Sequence, residues 1–272
     1  MESHSHIFEI KDISYSYPGG KTVLENFSFT LHHGQKAGLI GHNGSGKTTL
    51  LHLLMGLLVP TAGTIHILGE KMESEKDFKA IRPKLGFVFQ NADDQLFSPT
   101  VLEDVAFGPL NLGKSPKEAR DIAMNTLEAL DLKGFEKRIS YKLSGGEKKL
   151  VSIATVLAMD PEVLLLDEPT TGLDMETREH IIQILNDLDK SFLIVSHEYD
   201  FLARTTRDFF GMQKGKILYY GDSSALHTHT HIHPLGDAPH RHNGHETHDH
   251  EDGPDHAHDG HIHTHGDHDT RD

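Results

Sequence analysis

Apolar and polar residues alternate from Ile7 to Tyr17, which predicts a strand, and Pro18-Gly19-Gly20 ends it. Val23–Leu31 alternates again, and Thr64–Leu68 and Leu85–Gln90 have the same character. Lys36–Ile40 is a short apolar run that meets a glycine-rich turn. Thr48–Leu58, apolar nearly all round, suits a buried helix after that turn. The middle of the chain changes period: Thr100–Phe107, Ala119–Leu130 and Glu147–Ala158 repeat at helical spacing. Ser115-Pro116-Lys117-Glu118 is a helix start, with a capping serine, a proline at the first helical position and a glutamate three residues after the cap. Val163–Leu166 and Phe192–Val195 are short, wholly apolar runs of the kind buried in parallel sheets, and Met175–Lys190 between them is an amphipathic helix. The expected fold class is α/β: a mostly parallel sheet, an antiparallel β region at the N-terminus, and a helical subdomain inserted at about residues 96–158.

The last 46 residues break every period. From His227 to Asp272 lie 15 of the 24 histidines and 10 of the 41 acids, with two arginines. A stretch rich in His, Asp and Gly cannot build a core, so 227–272 is expected to be disordered without metal. The segment before it carries 24 basic and 31 acidic residues. That mild acidity argues against nucleic acid as a partner, since phosphate contacts need a basic face. The absence of cysteine excludes disulfides and thiolate metal sites. Met1–Ile7 has no apolar signal region, and the longest apolar stretch, Leu50–Val59, is about half a membrane span. The chain is therefore expected not to cross a membrane by itself.

Gly41-His42-Asn43-Gly44-Ser45-Gly46-Lys47-Thr48 fits G-x-x-x-x-G-K-[ST], between a strand and a helix as that motif requires. Glycines allow backbone N–H groups to converge on phosphate oxygens, and the helix N-terminus adds partial positive charge. Lys47 is expected on the β- and γ-phosphates and the Thr48 hydroxyl on Mg²⁺; Gly41, Asn43, Gly44, Ser45, Gly46 and Thr49 complete the cradle. Val163–Leu166 ends in Asp167-Glu168. In a phosphate-loop ATPase the first acid holds Mg²⁺ through water and the second polarises the attacking water.

Leu143-Ser144-Gly145-Gly146-Glu147 makes the chain resemble the ABC-type ATPases. The resemblance covers about residues 7–226, one cassette with a phosphate-loop NTPase (RecA-like) core. It implies that Ser144, Gly145 and Gly146 contact the γ-phosphate held by a second subunit, although Ser144 and Glu147 also form an ordinary capping box. It further implies that Tyr17 stacks on adenine and that Gln90 touches Mg²⁺ and the attacking water. By the same likeness Asp174, in Thr171-Gly172-Leu173-Asp174, lies on a loop crossing the dimer interface, and His197 holds the γ-phosphate. Glu147 stands where glutamine is commoner, and Lys148-Lys149-Leu150 where many members carry a glutamine–arginine pair. These departures are expected on the outer face of the helix. The implied assembly is a homodimer, or a heterodimer with a similar ATPase.

Phe89–Val101, Val105–Pro109 and Ser14–Gly20 are similar to the energy-coupling-factor importers. In that family the groove after the glutamine receives a helix of the transmembrane subunit, here near Gln90–Val101, and the cassette sits peripherally on the cytoplasmic face of the membrane. Cargoes are vitamins or transition metals. The tail, with His227, His229, His231 and His233 and again His261, His263 and His265, is an imidazole array suited to Ni²⁺, Co²⁺ or Zn²⁺. It points to the nickel and cobalt importers, with zinc or vitamin import, or a metal buffer with a vestigial cassette, as alternatives.

Overall fold

The computed structural model describes residues 6–20 and 22–222, and the histidine-rich tail lies outside them. The chain opens with two long antiparallel strands, β1 (His6–Ser16) and β2 (Thr22–His32), followed by β3 (Lys36–Ile40) and α1 (Lys47–Leu54). β4 (Ala62–Ile67), β5 (Glu70–Lys71), α2 (Glu75–Ile81) and β6 (Leu85–Val88) come next. Three helices then run without an intervening strand: α3 (Val101–Asn111), α4 (Pro116–Ala129) and α5 (Gly145–Leu157). β7 (Val163–Asp167), α6 (Met175–Asp187), β8 (Ser191–Val195), α7 (Tyr199–Thr205), β9 (Asp208–Gln213) and β10 (Lys216–Asp222) complete the described chain.

Two sheets result. One is antiparallel, in the order β2-β1-β4-β5; the other has six strands in the order β10-β9-β3-β8-β7-β6, parallel except for the β9–β10 pair. The expected fold class is borne out. β7 and β8 show why their sequences are apolar without alternation. Leu164, Leu166, Phe192 and Ile194 enter a core with the helices, while Val163, Leu165, Leu193 and Val195 enter a second core with α1 and the antiparallel sheet. A strand covered on both faces has no polar side to show.

Several boundaries differ from the sequence expectation for local reasons. The helix expected over Thr48–Leu58 stops at Leu54, because Gly56 takes a left-handed φ of 67° and the Phe78 ring lies where a side chain there would go. Leu85–Gln90 is a strand only to Val88, where the pairing with Leu166 ends. Ser115 caps α4 and Ser144 caps α5, each with its glutamate partner, as the spacing predicts. Gly86 in β6 is a close-approach glycine: a Cβ there would collide with Val156 of α5, so α5 lies tight against the strand that leads to Gln90.

Candidate functional site

β3 delivers the chain into the loop Gly41–Gly46, and α1 begins at Lys47. Gly44 and Gly46 have φ of 78° and 107°, in the left-handed region that favours glycine. A Cβ on Gly46 would stand 2.9 Å from Val23 Cγ1, and one on Gly41 2.8 Å from Ser45 Oγ. The first turn of α1 has no acidic residue and no side-chain cap, so its amides are free for an anion. Lys47 is buried and folds back over the loop, its Nζ donating to Gly41 O at 2.7 Å and His42 O at 3.3 Å. Burial lowers its pKa, and the charges of Glu168 and then Asp167 oppose that shift.

Asp167 ends β7 beside this loop. Burial raises its pKa, against a hydrogen bond from Thr48. Asp167 Oδ1 and Ser45 Oγ are buried without a hydrogen-bond partner among the described residues. Orphaned buried oxygens are costly and call for a partner. Asp167 Oδ1, with Thr48 and Gln90 lining the same cleft, makes a hard-oxygen donor set, which fits Mg²⁺. When bound, Mg²⁺ would neutralise charge on the phosphate oxygens.

Glu168 takes a left-handed φ of 45°, strain that a non-glycine residue bears only where its surroundings hold it. Its amide donates to Val195 O. Its Oε2 accepts from the His197 amide at 3.3 Å and Thr171 Oγ1 at 3.2 Å, and lies 2.8 Å from His197 Nδ1. The carboxylate is buried, whereas the His197 ring is half exposed.

One cleft of ≈ 270 Å³ gathers most of the expected residues: Tyr17, Asn43, Gly44, Gly46, Lys47, Thr48, Thr49, Gln90, Asp167 and Glu168 line it. Tyr17 is 41% exposed, its hydroxyl 3.1 Å from Thr49 Oγ1 and its ring edge-on to Tyr15. Gly41, Asn43 and His197 line an adjoining cavity. Ser144, Gly145, Gly146 and Asp174 line neither. Ser144 and Gly145 are exposed, and space around Gly145 is open. Asp174 caps α6, accepting from the Thr177 amide and hydroxyl, and Thr177 in turn packs against Gly146.

The expectation that Lys148-Lys149-Leu150 lies on the outer helix face is wrong for two of the three. Lys149 is 3% exposed and Leu150 is buried; only Lys148 reaches outward, pairing with Asp93. Lys149 Nζ donates to Phe89 O and Gln90 O, and burial pushes its pKa down to about 8 against the charge of Asp167. The signal was present: Lys149, Ile153 and Val156 share one face of α5, and the two others are core residues. Thr171, a partner of Glu168, was not singled out for that role. Glu147 is matched by Arg138, which binds it with both guanidinium nitrogens. The tail histidines His227, His229, His231, His233, His261, His263 and His265 lie outside the described residues, and among the described residues no group of three or more potential ligands is arranged for a metal ion. No helix among the described residues is long and apolar enough to cross a membrane.

The sequence profile of the ABC transporter family matches residues 24–171. A protein of Nitratidesulfovibrio vulgaris, named provisionally as an ABC transporter ATP-binding protein, is 50% identical over 237 residues, 87% of this chain and 86% of its own. The energy-coupling factor transporter ATP-binding protein EcfA of Methanothermobacter thermautotrophicus is 45% identical over 219 residues, 79% of this chain and 70% of its own. Among solved structures, cbiO1 of Clostridium perfringens, part of the ABC transporter complex cbiONQ, superposes with a TM-score of 0.73 at 32% identity, covering 81% of this chain and 90% of that one. The cassette MJ0796, solved as a dimer bound to ADP and phosphate, gives 0.71 at 28% identity over 77% of this chain and 96% of its own. The chain belongs to the ABC transporter family as an ATP-binding subunit, and it hydrolyses Mg·ATP to drive transport.

Proposed function

We propose that this chain is the ATPase of an energy-coupling-factor importer for a transition metal ion, nickel or cobalt, working on separate membrane subunits from the cytoplasmic face of the membrane. Residues 7–226 form the cassette, about 96–158 its helical subdomain, and 227–272 a metal-binding tail. In the cleft, Tyr17 stacks on adenine, and Gly41, Asn43, Gly44, Ser45, Gly46, Lys47 and Thr49 hold the phosphates. Thr48, Asp167 and Gln90 serve Mg²⁺, Glu168 polarises the attacking water, and His197 takes the γ-phosphate. Two chains stack so that Ser144, Gly145, Gly146 and Asp174 of each complete the other's site. The dimeric state of the MJ0796 structure supports that arrangement.

The observation that carries the coupling role is an exposed aromatic pair. Phe97, 66% exposed, meets Phe107 edge-on at 4.7 Å between ring centroids. The two border a ≈ 280 Å³ groove between β6, α3 and α5. Exposed aromatics at the rim of an apolar groove are what an inserting helix needs. The names of the EcfA relatives support the same family of partners. The metal cargo rests on the imidazole arrays of the tail.

Calorimetric titration with Ni²⁺, Co²⁺ and Zn²⁺ tests the cargo, comparing the full chain with one ending at Leu226. Tight binding of several ions, lost on truncation while ATP hydrolysis persists, is expected. A zinc preference favours zinc over nickel and cobalt, and no binding returns the cargo to any vitamin or ion that such importers handle.

A further inference from the structure

Gln90 lies beyond the end of the sheet. β6 stops at Val88, paired with Leu166, so strand pairing leaves the carbonyls of Phe89 and Gln90 unheld. What holds them is α5. Lys149 Nζ donates to Phe89 O at 2.8 Å and to Gln90 O at 2.6 Å. The Phe89 amide donates to Gln95 Oε1 at 3.2 Å, and Gln95 Nε2 donates at 2.7 Å both to Ser152 O and to Thr155 Oγ1 of α5. A buried ammonium with two charge-assisted bonds is a stiff tether, and its loss would leave two carbonyls without partners. α5 also carries Ser144, Gly145 and Gly146 at its N-terminus, about one helical turn from Lys149.

We propose that Lys149, with Gln95, is a positioning residue that fixes the Gln90 backbone to α5, so that the helix and Gln90 shift as one body when the cleft closes. This rests on the assignment of Gln90 to the Mg²⁺ and attacking-water side of the cleft. A buried lysine that merely filled space would affect stability and leave the chemistry alone. A tether acts through Gln90, and its effect disappears once the Gln90 side chain is gone.

The test is a double-mutant cycle on the full chain, with ATP hydrolysis followed against ATP and against free Mg²⁺, and thermal unfolding as a check of fold. Gln90→Ala should lower kcat about tenfold or more. Lys149→Met should lower kcat about 5- to 20-fold and raise the Mg²⁺ needed for half-maximal rate, with the KM for ATP within about twofold of native. The double variant should be no slower than Gln90→Ala within about twofold, since the two changes remove one function. Lys149→Arg, which keeps the charge and the donors, should recover part of the loss. If Lys149→Met does not fold, Gln95→Leu takes its place with the same expectations. A Lys149→Met chain as fast as native beside an impaired Gln90→Ala, or losses that multiply in the double variant, would overturn the tether. An unimpaired Gln90→Ala would remove the Gln90 assignment itself, and the tether with it.

Discussion

The phosphate-loop cleft and the exposed edge at Ser144-Gly145-Gly146, the signature edge, are built in opposite ways. In the cleft, Lys47, Asp167 and Glu168 are buried, and each has its own partner: the Gly41 and His42 carbonyls for Lys47, Thr48 for Asp167, and Thr171 and His197 for Glu168. At the edge, Ser144 and Gly145 are exposed and Gly145 has open space around it, although the helix behind them is fully capped. A cleft of coupled buried charges is organised before its ligand arrives, which is what differential stabilisation of a transition state requires. An organised helix N-terminus facing outward is complete only against something else. The difference teaches that the cleft finds its partners within the chain, whereas the exposed edge is where the proposed dimer contact would have to be made.

The largest effects should come from the cleft. Glu168→Gln removes the carboxylate that faces His197 and Thr171, and the general-base role proposed for it would be worth about 10²–10⁴-fold in rate. The variant should bind ATP as the native chain does, hydrolyse it at least about 100-fold more slowly, and accumulate as an ATP-dependent dimer in light scattering. Hydrolysis within a few-fold of native would remove Glu168 from the chemistry. The cleft would then be a binding site whose base lies elsewhere.

A second test separates the two regions directly. Ser144→Arg places a charged, bulky side chain at the exposed edge; it gives up the hydroxyl that accepts from the Glu147 amide, while the Ser144 amide keeps the Glu147 carboxylate. ATP affinity should remain, while hydrolysis falls about 10- to 100-fold, the magnitude of losing an oriented electrostatic donor. Lys47→Ala should lose hydrolysis through the cleft instead. Mixing the two inactive chains pairs an intact cleft with an intact edge, so partial activity should return if the partner is a second copy of this chain. Two inactive chains that stay inactive together would point to a different subunit as the natural partner.

How much of this was legible follows from range. The cleft was readable because its residues are contiguous motifs with fixed spacing: Gly41–Thr48 and Asp167-Glu168 each sit where a strand ends, and strand ends converge in a parallel sheet. α2, α7, β9 and β10 carried no expectation. β9 earns its place by pairing with β3, more than 160 residues away, from a short segment with little period of its own. Lys149 was misplaced for a similar reason. A lysine beside a second lysine reads as solvated surface until the carbonyls of Phe89 and Gln90, left over by the end of β6, give it a buried task.

The smallest effect asks what the unusual Glu147 does for the signature edge. Its carboxylate accepts from Arg138 Nη1 at 2.7 Å and Nη2 at 2.9 Å, and from the Ser144 amide at 2.9 Å. Those bonds, Arg138 first and the Ser144 amide next, lower its pKa from the usual 4.5. A pKa depressed in the folded state means that the pair stabilises the fold above the unfolded value and that this contribution is lost as pH falls through the folded one. Glu147→Gln keeps one acceptor, for the Ser144 amide and Arg138 Nη2, and removes the charge together with the oxygen that accepts from Arg138 Nη1. Because the pair is partly exposed to solvent, the variant should lose about 0.5–1 kcal/mol at pH 7. Urea unfolding should show that difference shrinking below about pH 4.5 and in about 1 M salt. A difference that ignores both pH and salt would mean that Glu147 acts through packing. The electrostatic contrast between a paired edge and a buried cleft would then have to be drawn without it.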